Sequence, residues 1–207
     1  MEPCYAQNYL ECGIDEAGRG PLFGRVYSAS VVLPKENFDF SIIKDSKKYS
    51  SEQKLLEAYN YVIENCIDYG IGYCSEEEID KVNIRNATHM AMHRAINNMT
   101  LYPEHILVDG NSFETYIRDE CIIPHTCIKK GDNTYSNIAA ASIIAKVTRD
   151  RYIKDMCNKY PNLDEYYGIL SNKGYGTKKH CEGLKTYGTT QWHRQTFNKC
   201  RQCILEN

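Results

Sequence analysis

The sequence of 207 residues predicts an α/β domain, with a mixed central β-sheet of about five strands flanked by helices and a small helical C-terminal region. Three observations lead there. Two apolar runs form an opening hairpin, strand-like and helical periodicities then alternate, and the stretch from Tyr160 is helical or irregular with frequent Gly and Tyr. With 42% hydrophobic and 25% charged residues, the chain has the composition of an ordinary globular protein rather than a disordered one. No apolar run has membrane length, so no membrane partner is expected. One domain is expected, with a core at about residues 10–160 and a C-terminal region at about 161–207.

The elements follow in order. Tyr9, Leu10 and Cys12 to Ile14 are strand-like, Gly18, Arg19, Gly20 and Pro21 turn the chain, and Val26 to Leu33 is a second strand. Lys44 to Ser50 is a polar loop. Ser50 or Ser51 caps a helix from about Glu52 to Cys66, whose Leu55, Leu56, Tyr59, Val62 and Ile63 share a face. Tyr69 to Cys74 is a short strand, and Asn83 to Met99 is an amphipathic helix packed through Ala87, Met90, Ala91, Met92 and Ile96. A strand from His105 to Val108 ends at Asp109. Ile122 to Ile128 is the next strand, followed by a tight loop through Lys130, Gly131 and Asp132. Asn137 to about Cys157 is a long helix that begins with small residues, Ala139 to Ser142.

The net charge of −2 conceals a division along the chain. Residues 1–128 carry 11 basic and 20 acidic side chains, whereas residues 129–207 carry 14 and 7. Such asymmetry points to a polyanion partner. Met1 to Gln7 lacks the basic and then apolar pattern of a signal peptide, so a cytosolic, cytoplasmic location is expected. Most of the ten cysteines, scattered through strands and helices, are accordingly read as small buried hydrophobes. Cys200 and Cys203 have metal-ligand spacing but no second pair at a recognisable distance.

The chemistry lies in the acids. Asp15 and Glu16 sit beside a glycine-flanked arginine, Asp109 ends one strand and Asp132 follows another, and strand-end carboxylates from neighbouring strands can converge in one cleft. Four such groups form a sufficient oxygen shell for Mg²⁺, and paired divalent ions can activate water and stabilise the leaving oxygen of a phosphodiester. Consecutive strand residues point to opposite faces, so Asp15 and Glu16 share a site only if the chain twists at the turn.

Seven stretches carry a more specific likeness: GIDEAGRGP from Gly13, KDSKKYS from Lys44, EEIDKVNIRNATHMAM from Glu77, LVDG from Leu107, KKGDNTYSNIAAASIIAKVTRDR from Lys129, NKGYGTKKH from Asn172 and HRQTF from His193. In this order, over roughly residues 10–198, they resemble ribonuclease HII of the bacterial type. The resemblance implies a ribonuclease-H-like fold, with Asp15, Glu16, Asp109 and Asp132 as catalytic ligands of Mg²⁺ or Mn²⁺. It implies endonucleolytic cleavage of the RNA strand of RNA/DNA hybrids and of duplex DNA containing single ribonucleotides. Cleavage is then 5′ to the ribonucleotide, leaving 3′-hydroxyl and 5′-phosphate ends, with roles in ribonucleotide excision and primer removal. Gly18, Arg19 and Gly20 would read the ribose 2′-hydroxyl, and Tyr175 would lie against the following deoxyribose. Lys47, Lys48, Lys146 and Arg149 are expected phosphate contacts by charge and position. The protein is expected to act as a monomer, and no clamp-binding motif is visible in Lys199 to Asn207. Arg25, Phe23 and the segment from Asn162 to Ser171 depart from the usual family pattern near Tyr175. A different nuclease of the same architecture and a catalytically silent hybrid-binding subunit are the alternatives.

Other residues have simpler readings. His89 and His93, four apart on a helix, lack a third ligand and are read as a hydrogen-bonded pair rather than a zinc site. Asp150 is expected to pair with Lys146 or Lys154, and Trp192 to pack the C-terminal segment. His180 and His193 fit either a phosphate contact or a structural hydrogen bond.

Overall fold

The computed structural model describes residues 1–5 and 8–206, apart from the side chains of Lys47 and of residues 204–206. Lys47, one of the expected phosphate contacts, therefore lies outside the described residues. The central sheet contains β1 (Glu11–Ala17), β2 (Val26–Val32), β3 (Asp68–Cys74), β4 (His105–Asp109) and β7 (His125–Ile128), in the order β3-β2-β1-β4-β7. β2 pairs antiparallel with both β1 and β3, while β1–β4 and β4–β7 are parallel. The sheet is the expected mixed one.

Its two faces are covered by different helices. Ala29 and Val31 of β2 pack with Leu55, Ala58 and Val62 of α1 (Glu52–Asn65) and with the run from Ala139 to Ala145 of α3 (Ser136–Lys159). Cys12, Ile14, Val32, Ile106 and Val108 pack instead with Met92, Ala95 and Ile96 of α2 (Glu76–Asn97). This is period-two alternation with both faces buried. Gly13 lets α3 approach closely, since a Cβ there would overlap the backbone of Asn137 and Ile138.

Three elements differ from expectation. α2 begins at Glu76 rather than Asn83, because Ser75 and Glu78 form a reciprocal capping box and start a first segment seven residues earlier. Asn83, at φ 68°, marks a kink between that segment and the amphipathic part. The strand expected from Ile122 to Ile128 is divided at Pro124, which has no N–H to give a ladder. Cys121–Ile123 (β6) pairs with Tyr116–Arg118 (β5) in a separate ribbon, and only the part after the proline joins the main sheet. β1 also runs past Asp15 to Ala17, still paired with β2, whereas its pairing with β4 stops at Ile14 and Val108. The sheet forks there.

The C-terminal region contains α4 (Asn162–Tyr167), α5 (Ile169–Asn172), α6 (Lys178–Tyr187) and α7 (Asn198–Glu206). Leu163, Tyr167, Ile169, Leu184, Cys200 and Cys203 pack with Leu22 and Phe23 of the β1–β2 loop and with Ile153 of α3. Cys200 and Cys203 are core residues, and their thiols point to the carbonyls of Leu22 and Leu184. Trp192 packs on Tyr160 with ring centroids 4.5 Å apart, as expected. Among the described residues no helix is long and apolar enough to cross a membrane.

Candidate active site

The fork in the sheet opens a cleft of about 370 Å³ lined by Asp15, Glu16, Asp109 and Asp132, together with Gly18, Arg19, Gly20 and Tyr175. Asp15 and Glu16 both reach it, although they are neighbours on a strand, because the cleft opens at the end of the sheet beyond the last β1–β4 pair rather than on one face.

Each acid is fixed by short local contacts. The Asp15 carboxylate accepts from the Glu16 N–H at 2.7 Å and from the Ser142 side chain on α3. The Ser142 hydroxyl meets that of Ser46 at 3.0 Å, and the Ser28 hydroxyl donates to the Asp15 carbonyl at 2.7 Å. Asp109 accepts from the Gly131 N–H at 2.7 Å, which ties the end of β4 to the turn carrying Asp132. Asp132 accepts from the Asn133 side chain at 3.0 Å. The N-terminal strap supports the same turn, since Glu2 pairs with Tyr135 and its carbonyl accepts from the Ser136 N–H at the start of α3.

The electrostatics are those of a buried acidic cluster. Burial, then the charges of Glu16 and Asp109, hold Asp15 well above the usual carboxylate range. Burial also raises Glu16, against the opposing pull of Arg19, whose guanidinium lies 3.4 Å from its carboxylate. Oxygen-only donors gathered in one cleft, with burial and neighbouring charge raising the proton affinity of Asp15 and Glu16, suit a hard divalent cation. Among the described residues, no three His, Cys, Asp or Glu side chains are drawn tightly enough together to enclose an ion as they stand. The acids share the cleft without forming a closed cage.

The glycine turn lies against Tyr175. A Cβ on Gly20 would come within 3.2 Å of the Tyr175 ring, which is 51% exposed, and the Leu22 N–H donates to the Gly174 carbonyl at 2.8 Å. The basic residues divide. Lys146 lines the cleft but is paired with Asp150 at 3.0 Å, as expected for that aspartate. Lys48 lies outside the lining, close to Asp45 and hydrogen-bonded to Asn133. Arg149, expected as a phosphate contact, lines the cleft but is only 3% exposed, and its Nε and Nη2 donate to the carbonyls of Arg25, Phe23 and Lys173. These bonds brace the loop from the floor of the cleft.

The histidines resolve in the same direction. His180 and His193 are buried, with their Nε2 atoms 3.0 Å apart. The Thr190 N–H donates to His193 Nδ1, so His193 carries its proton on Nε2 and donates to His180, whose Nδ1–H is then left for the Tyr175 carbonyl. Both rings are neutral and structural. His89 and His93 contact the segment at Ser112 to Glu114, with the His93 Nε2 3.0 Å from the Glu114 carbonyl.

Sequence reasoning passed over Ser28, Ser46, Ser142 and Arg194. Three of them stood inside stretches already singled out, KDSKKYS, NIAAASIIAKV and HRQTF, but their partners are distant in the chain and leave no local pattern. Arg194 is fully buried and is the largest such side chain in the molecule among the described residues.

Comparison with known proteins agrees with this architecture. The family profile for Ribonuclease HII matches residues 12–201. A Ribonuclease HII of Bacteroides fragilis is 45% identical over 197 residues, which cover 95% of this chain and 92% of that protein. Among solved structures, the ribonuclease H2 of Pyrococcus horikoshii OT3 superposes with a TM-score of 0.77 at 26% identity, covering 95% of this chain and 97% of the other. An RNase HII of Archaeoglobus fulgidus, solved in a complex with PCNA, gives 0.71 at 25% identity and covers 91% of this chain and 95% of the other.

Proposed function

The chain belongs to the ribonuclease HII family and is a ribonuclease H endonuclease, and on that premise we propose that it cleaves on the 5′ side of a ribonucleotide in an RNA/DNA hybrid or embedded in duplex DNA, using Asp15, Glu16, Asp109 and Asp132. The observation that carries this reading is the sharing of one cleft by the four acids, the Gly18–Gly20 turn and Tyr175, which come from separate parts of the chain. Only a 2′-hydroxyl separates ribose from deoxyribose. A glycine turn can bring backbone donors and acceptors up to that hydroxyl, while an exposed aromatic ring offers the next sugar an apolar face that suits a neighbour without it.

The four acids are the residues that would hold Mg²⁺ or Mn²⁺, and the bound ions supply Lewis acidity and a water activated at neutral pH. Ser142 and the Glu16 N–H orient the Asp15 carboxylate, and the Gly131 N–H orients that of Asp109. Arg19 lies close enough to Glu16 to hold its carboxylate while the turn receives the sugar. Lys173, which also lines the cleft, is placed to meet a phosphate of the duplex.

The test is incubation of a DNA duplex containing one ribonucleotide with the wild type and with Asp109→Asn, in Mg²⁺ and in Mn²⁺. The expected result is a nick 5′ to the ribonucleotide and at least about a hundredfold loss in the variant, the scale on which removing transition-state charge stabilisation acts. Equal cutting of an all-DNA duplex would point to a nuclease without sugar selection. Absence of any nick with either metal would point to a silent hybrid-binding subunit.

A further inference from the structure

Beneath the Gly18–Gly20 turn lie two buried arginines that the chemistry above does not use. Arg194, fully buried, donates from Nε to the Gly24 carbonyl at 2.8 Å, from Nη1 to those of Arg19 at 3.0 Å and Pro21 at 2.8 Å, and from Nη2 to that of Gly18 at 2.6 Å. One guanidinium thus collects four carbonyls from seven consecutive residues. Among the described residues no carboxylate is hydrogen-bonded to it. Asp80, one of the acids that acts on it, gives its oxygens to Gln195 and Thr196, and Glu76 accepts from Tyr152. From the other side Arg149 takes the carbonyls of Phe23 and Arg25 and adds that of Lys173, two residues before Tyr175. Its side chain also fills the space that a Cβ on Gly18 would need.

We propose that Arg194 and Arg149 are positioning residues for sugar selection, holding the Gly18–Arg25 loop with its carbonyls turned inward and its Arg19 and Gly20 N–H groups turned outward beside Tyr175. The inference rests on the functional reading above and deepens it. In a trans peptide the C=O and the following N–H point in opposite directions, and every described peptide bond is trans. Drawing the Gly18 and Arg19 carbonyls onto Arg194 therefore directs the N–H groups of Arg19 and Gly20 away from it. A donor pair set in advance spends none of the substrate's binding energy on ordering the loop. It also cannot relax to suit a sugar without the hydroxyl, and polar groups left unpaired in this way give strong rejection of a substrate lacking one oxygen. Lysine cannot substitute, because a single ammonium has three donors and no planar fork to span four carbonyls.

The test uses Arg194→Lys and Arg149→Lys in the full chain, under single-turnover conditions with enzyme in excess. The substrates are one duplex carrying a single ribonucleotide and the same duplex carrying the deoxynucleotide. Melting temperature and hydrogen exchange of residues 18–25 are followed in parallel. The expected result for Arg194→Lys is a fall of at least tenfold in the ratio of ribonucleotide to deoxynucleotide cleavage, with faster exchange confined to the loop. Arg149→Lys should lower the ratio less, since it donates to two loop carbonyls rather than four. Should Arg194→Lys fail to fold, the ratio and loop exchange of Arg149→Lys decide. An unchanged ratio in the folded variants, whatever happens to the overall rate, overturns the inference alone. A wild type that cuts both duplexes equally overturns the functional reading itself, and this inference with it.

Discussion

The cleft and the layer beneath it bury charge in opposite ways. Asp15, Glu16 and Asp109 line one cleft, where the charges of Glu16 and Asp109 raise the proton affinity of Asp15, the charge of Asp109 raises that of Glu16, and Arg19 opposes the rise at Glu16. Arg194 and Arg149 are buried as well, but both donate to backbone carbonyls. Burial, with Arg149 nearby, pulls Arg194 down to about 9, which leaves it charged at neutral pH. The acidic group is suited to a cation from outside, whereas the basic group is spent on the chain's own backbone. Neighbouring acids in an open cleft mark where a ligand enters, and buried cations bonded to backbone carbonyls mark what holds the entrance in shape.

The sharpest way to break the comparison is to neutralise one member of the acidic cluster. Asp15→Asn should lower cleavage by at least about two orders of magnitude while leaving the denaturation midpoint in metal-free buffer unchanged or higher, because repulsion is relieved. A loss of stability alongside activity would show that the acids support the fold. Gly18→Ala should be destabilising by about 1–3 kcal/mol in urea titration, since position 18 has φ 97° and a methyl group there meets the Arg149 side chain. It should also slow cleavage of the single-ribonucleotide duplex. No change in either quantity would mean that the loop yields more easily than its contacts imply.

The smallest effect concerns the two histidines. Burial, reinforced by His180, lowers His193 to about 3, and burial lowers His180 too. Above an unfolded-state value near 6.5 neither state binds the proton, and the pair has no effect on the pH dependence of stability. As pH falls from there toward 3, the unfolded chain takes up protons that the folded chain refuses. Stability should then drain by at most about 1.4 kcal/mol per pH unit for each histidine. Urea midpoints between pH 7 and 4.5 would show it, and His193→Asn should flatten the slope. An equally steep slope in that variant would place the acid sensitivity elsewhere.

Much of this was legible in the sequence, and what was not has a common cause. The strands around Asp15 and Asp109 announce themselves by periodicity, and the four acids and the glycine turn stand in stretches whose spacing carries chemistry. Arg149 and Arg194 stand in such stretches too. Their roles depend on carbonyls more than 120 positions away in the chain for most of their hydrogen bonds, and any residue can supply a carbonyl, so no side-chain pattern reports the contact. The link from Ser46 to Ser142 to Asp15 escaped for the same reason. The early start of α2 was hidden by Glu76, Glu77 and Glu78, which look like a solvated run until Ser75 is recognised as their cap. Pro124 was visible, but its effect depended on where Ile122 would find a partner, and that partner was Ile117 of β5 rather than a residue of the main sheet.

The bare contact between Gly13 and α3 has a consequence at a distance. With no side chain between strand and helix at that point, β1 and α3 lie backbone to backbone, and the spacing from Asp15 to Ser142 depends on that close approach. A single extra carbon two residues before the first acid would lift the whole helix and carry the hydroxyl away from its carboxylate. Tolerance to change is therefore narrow at a position that lies outside the cleft lining.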